Sequence, residues 1–188
     1  MSDLVPLTGE PLALDLVNTR PYDADLLDSP ADLRAWLELE ADRLPDPPAH
    51  EAAGLTAADV AAVHAVRDAA GVAIDHARRS ERPPAAALDT LNDAQRAAPA
   101  IRELAWDGSS VIAARRRTGS AGVRLAAWLA EAAAELLADP AVGKVRECEA
   151  EDCVMLFLPA HPRRRWCSAA RCGNRARVAR HYQRHKPA

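Results

Sequence analysis

All four cysteines of the 188-residue chain fall in one short stretch, at Cys148, Cys153, Cys167 and Cys172. They make two C-x4-C pairs with thirteen residues between the pairs. Zinc is held by four ligand atoms at the corners of a tetrahedron, with thiolates about 2.3 Å from the metal. Two tight turns, each presenting one pair, satisfy that geometry, and the intervening segment has the length of a hairpin. The expected hairpin runs up through Val154–Leu158, turns at Pro159–Pro162 and returns through Arg163–Trp166. The same thiols could pair as two disulfides in an oxidising compartment. The opening residues, Met1-Ser2-Asp3-Leu4-Val5-Pro6, lack the basic and apolar regions of a secretory signal. No apolar run reaches the roughly 18–20 residues that span a bilayer, so no membrane association is expected. A cytoplasmic setting follows as the expectation, and there a reducing environment favours metal over disulfide. Four thiolates close the coordination sphere, so one structural Zn2+ per chain is expected rather than a catalytic ion.

The second group with chemistry is cationic. Arg163, Arg164 and Arg165 sit at the expected hairpin turn, and Arg175, Arg177, Arg180 and Arg184 follow the last cysteine. On a helix, Arg177, Arg180 and Arg184 fall within about a 60° arc. Guanidinium forks suit phosphate oxygens and guanine edges, which makes DNA the expected partner of this face. A solvated face, or one docked on the chain's own acids, fits the same residues. The charge distribution sharpens that choice without settling it. The net charge is −3, but residues 144–188 hold eleven basic and four acidic residues, or +7, which leaves −10 on residues 1–143.

These groups need elements to position them. Apolar residues make up 49 % of the chain, mostly Ala, Leu and Val with few aromatics, and that composition leans helical. Asp28 or Ser29 caps a helix that starts at Pro30 and runs to about Glu40, before the Pro45-Asp46-Pro47-Pro48 loop. Thr56-Ala57-Ala58-Asp59 resembles a capping box and opens a helix to about Arg79. Pro83-Pro84 starts another, and Ser120 caps a long one that Asp139-Pro140 closes. Between them, Ile101–Trp106 and Val111–Arg115 flank Asp107-Gly108-Ser109 and read as a β-hairpin. The leucines of residues 12–19 fit either a strand or a helix, and the helical reading is preferred. The expected fold is therefore mainly α with a small β-hairpin (α+β). It comprises a helical N-terminal domain over residues 1–143 and a treble-clef-like, four-cysteine zinc finger over residues 144–188.

In the N-terminal domain, Asp15, Asn18 and Thr19 follow an apolar run. They could line a pocket for a small-molecule effector, or form tertiary hydrogen bonds that fix the chain. The domain would then serve sensing, or dimerisation of two copies. His64 and His76 are twelve residues apart, too far for a helical metal pair. No phosphate loop, nucleotide-binding glycine pattern or nucleophile elbow is present, so no enzymatic activity is expected.

The stretch Arg164-Arg165-Trp166-Cys167-Ser168, followed by Cys172-Gly173-Asn174-Arg175, resembles the bacterial CGNR zinc-finger proteins. Leu14-Asp15-Leu16-Val17-Asn18-Thr19 is similar to the signature of the ABATE domain that accompanies this finger, and Asp32-Leu33-Arg34-Ala35-Trp36-Leu37 matches a second signature. The resemblance implies zinc held by the four cysteines and a role in stress-induced transcription regulation. One departure is visible: family members carry Asp and Ser after the residue matching Phe157, where this chain has Leu158-Pro159-Ala160-His161-Pro162.

Overall fold

The computed structural model describes residues 6–21, 24–43 and 54–178, and it is mostly helical. Helix α1 spans Leu12–Val17, so the helical reading of this segment holds. Helix α2 spans Pro30–Leu39 and α3 spans Ala57–Arg78. Both open with complete capping boxes, Ser29 with Asp32 and Thr56 with Asp59. In each, the hydroxyl accepts an N–H of the first turn while the carboxylate accepts the cap's own N–H. Helix α4 spans Ala85–Ala97 and α5 spans Ala121–Ala138, capped by Ser120. The expected Pro45–Pro48 loop lies outside the described residues.

The helical core forms where α5 packs on α3 and α4, with α1 laid against α3 and α5. Leu14, Leu16, Leu33, Trp36, Ile74 and Leu129 are fully buried there. Small residues let these helices approach closely. A Cβ on Gly122 of α5 would stand 1.7 Å from Oδ1 of Asp59, so only glycine lets α5 pass the capping carboxylate of α3.

Strands β1, Ile101–Trp106, and β2, Val111–Arg116, form the expected antiparallel hairpin, with Trp106 opposite Val111. Asp107 closes its turn by accepting the N–H groups of Ser109 and Ser110, both at 2.8 Å, and Gly108 supplies a φ of +104°. A second antiparallel pair joins β3, Arg146–Glu147, to β4, Leu156–Phe157.

That second pair corrects the hairpin expected from the sequence. The strand that pairs with β4 precedes the first cysteine; it is not the returning segment 163–166. Pro159 and Pro162 remove two donors from the turn, and the returning chain meets the module through a backbone bond from Glu149 N–H to Arg165 O at 3.0 Å. No helix among the described residues is long and apolar enough to cross a membrane.

Candidate metal centre

Two turns bring the thiols together. In the first, Cys148 N–H donates to Met155 O at 2.9 Å and Cys153 N–H to Ala150 O at 3.1 Å. The reversal between them uses Asp152 at φ +57°, a left-handed conformation that Asp tolerates better than most residues. The second turn is a π-helical turn over Ala169–Gly173, capped by the Ser168 hydroxyl, and residues 174–178 continue as α-helix. Gly173 fits closely there, because a Cβ would stand 3.2 Å from the Trp166 ring.

The four Sγ atoms lie within 4.8 Å of one another. Cys153 is 3.8 Å from Cys167 and 3.6 Å from Cys172, and Cys167 is 3.5 Å from Cys172. A tetrahedron of sulfurs about 2.3 Å from a central ion has edges of about 3.8 Å. All four cysteines are unpaired thiols, far beyond disulfide distance. Burial raises Cys172 to about 11 and pushes Cys167 up further. At Cys148 burial also acts upward, but hydrogen bonds from the N–H groups of Cys167 and Ala150 and from the Cys153 and Cys167 thiols together outweigh it and hold this thiol below its ordinary value. Clustered thiols resist shedding all their protons together, and a dication among them reverses that balance. The surroundings complete the site: Cys167 N–H donates to Cys148 Sγ at 3.3 Å, and the Arg175 guanidinium lies 3.9 Å from Cys172 Sγ.

A family profile described as "CGNR zinc finger" matches residues 144–185. A second, ABATE, described as "Putative stress-induced transcription regulator", matches residues 10–140. The chain belongs to the ABATE family. No curated protein matches it. In this ABATE and CGNR protein, Cys148, Cys153, Cys167 and Cys172 lie close enough together to hold one zinc ion. Neither family description is that of an enzyme.

The arginines expected on one anion-binding face divide into groups. Arg164 turns inward. Its guanidinium stacks 4.5 Å from the Phe157 ring centroid, donates to Trp166 O at 3.0 Å and Cys167 O at 2.5 Å, and pairs with Glu10 at 2.5 Å. Glu10 is almost fully buried and also accepts the Leu158 N–H at 2.9 Å. Arg164 is thus a strut between the N-terminal segment and the finger. Arg165 pairs with Glu149 at 2.5 Å and stacks over Trp166. Arg175 donates to Glu151 O at 2.8 Å. Arg163 and Arg177 are exposed and face no carboxylate among the described residues. The same is true of Arg171, which the sequence reading did not select. Arg180 and Arg184 lie outside the described residues.

The three polar residues near the N-terminus are buried and bonded. Asn18 Nδ2 donates to Leu156 O, and Asn18 Oδ1 accepts the Leu156 N–H, both at 2.8 Å. Thr19 donates to Leu16 O and accepts from Arg67. Asp15 accepts the N–H groups of Gly9 and Glu10 and pairs with Arg43 at 2.6 Å, and Arg43 also holds Glu40. Burial, set against the Arg43 bond, raises Asp15 to about 7. None of the three lines the cleft of about 510 Å3 between α5, Arg43 and Leu158. The bonds that Asp15, Asn18 and Thr19 make are those of the tertiary-bond alternative. Glu10 and Arg43 carry no local signal in the sequence; their partners are found only through the fold.

Proposed function

We propose that the zinc finger carries this regulator to duplex DNA through phosphate contacts made by Arg163, Arg171 and Arg177, with Arg180 and Arg184, which follow in the sequence, adding positive charge. The supporting observation is the sorting of the arginines. Arg164 is drawn inward onto Glu10, while Arg163, Arg171 and Arg177 stand exposed and face no carboxylate among the described residues, Arg177 donating to Asn174 Oδ1 at 2.9 Å. Arginine on a rigid element loses little entropy when it meets a phosphate. The zinc sets the geometry of the face and does not itself touch the ligand.

Fluorescence anisotropy with duplex DNA over a salt series tests this reading. Each phosphate contact contributes about 0.9 to the slope of log K against log salt. The Arg163→Ala, Arg171→Ala, Arg177→Ala triple variant is expected to lose about two to three units of slope. No binding at low salt, or a slope the triple variant leaves intact, would refute it. The Arg164–Glu10 pair supports a second reading, in which the finger is a module docked on its own helical domain and contacts no DNA.

A further inference from the structure

Among the described residues, ten large apolar side chains are exposed. Five of them, Ile101, Leu104, Trp106, Val111 and Ile112, lie on the β1–β2 hairpin, which marks that hairpin rather than the surface at large as unfinished. Leu104 is 76 % exposed and Trp106 66 %. A two-stranded hairpin is marginal in water without a further strand or a packed face. On its β2 side, Arg115 is tied to Glu131 of α5 at 2.7 Å, whereas every residue of β1 is exposed.

The hydrogen-bond phase of β1 is fixed. Asp107 N–H donates to Ser110 O at 3.1 Å, and the register continues inward as Ala105↔Ile112, Glu103↔Ala114 and Ile101↔Arg116. In an antiparallel ladder every second residue points its N–H and C=O across to the partner strand. Arg102, Leu104 and Trp106 therefore point theirs outward from the hairpin.

We propose that β1 pairs antiparallel with β1 of a second copy of this chain, making a four-stranded sheet with Leu104 on the two-fold axis. The outward groups of 102, 104 and 106 all meet in the register centred on Leu104. Leu104 faces Leu104 of the partner subunit, and Arg102 lies opposite Trp106 of the partner subunit at both ends, a cation–π arrangement. Glu103 lies opposite Ala105 of the partner subunit. Centring one residue earlier would set Glu103 against its own copy, which is repulsive. The strand is thus complementary to itself, as an isologous interface must be. Leu104, Trp106 and Val111 share one face of the hairpin and Ile101 and Ile112 the other, and the first three leave on the order of 400 Å2 in water. This falls below the about 800 Å2 per partner of a standard interface, so micromolar association is expected.

Sedimentation velocity of the zinc-loaded full chain from about 1 to 100 µM tests the proposal. A monomer–dimer equilibrium is expected. Leu104→Asp and Leu104→Lys should each weaken it at least about tenfold, since like charges then meet on the axis, and an equimolar mixture should restore dimer. Circular dichroism and zinc content should stay unchanged in both variants, because Leu104 is exposed. A wild-type monomer at about 100 µM would overturn the proposal, whatever else the hairpin binds. So would a dimer indifferent to Leu104, or a mixture that stays monomeric.

Discussion

Replacing Asn18 with alanine removes the two hydrogen bonds that clamp β4 of the finger to α1. Both bonds are buried, and Asn18 is 3 % exposed, so water does not reach the groups left behind. The Leu156 N–H and C=O would each lose a partner without regaining solvent, at about 1–3 kcal/mol apiece. The expected cost is about 3 kcal/mol, with the void left by the amide included. With an m-value of about 2 kcal/mol/M, the urea midpoint should fall by about 1.5 M. Asn18→Asp is a sharper variant. Its carboxylate still accepts the Leu156 N–H but cannot donate to Leu156 O, and two acceptors then face each other. It should cost at least as much as alanine, although it is nearly isosteric. Urea unfolding followed by circular dichroism, with hydrogen exchange read at the Leu156 amide, measures both effects. A loss below about 0.5 kcal/mol, or unchanged protection of Leu156, would refute the view that this amide joins the two parts of the chain.

Arg164→Ala leaves the Glu10 carboxylate buried without its guanidinium. The pair is only partly shielded on the arginine side, so the expected destabilisation is about 2–3 kcal/mol rather than the larger loss of a fully buried pair. Thermal melts measure it, and the salt slope of DNA binding should not move, which separates this strut from Arg171 and Arg177. Asp15 carries a folded-state value of about 7 against an ordinary 3.8, so the folded protein holds a proton that the unfolded chain releases. Its contribution is complete below about pH 4 and is lost as the pH rises towards about 7. Melting temperatures between about pH 4.5 and 8 should therefore decline, and Asp15→Asn should flatten the decline; an identical slope in the variant would contradict the assignment. Asp25 acts in a different window, because the Arg67 bond lowers it to about 2 and its stabilisation fades only as the pH falls below about 4.

Local features of this chain are legible because their partners lie within a few residues. The capping boxes at Ser29 and Thr56, the Asp107-Gly108 turn and the spacing of the four cysteines all specify structure over short distances. The paired cysteines identify the metal site because two turns suffice to build it. The role of Arg164 is not legible. Its partner Glu10 is 154 positions away, and the local context, three consecutive arginines, resembles a solvated cationic patch. The same holds for Asn18 and Leu156, separated by 138 positions. The mistaken finger hairpin has a related cause. The continuous apolar run Val154–Leu158 announces a strand, but nothing local says which of the two flanking segments pairs with it. Prolines at 159 and 162 weaken one candidate, and the choice falls to Arg146–Glu147.

One zinc ion, held by four thiolates, is expected to organise the finger. X-ray absorption spectroscopy at the zinc edge of the purified full chain, with metal content measured on the same sample, tests it most directly. One zinc per chain with four sulfur neighbours at about 2.3 Å is the predicted result. Zinc bound through nitrogen or oxygen ligands in place of any cysteine, or thiols that all remain freely alkylated in metal-replete protein, would contradict it.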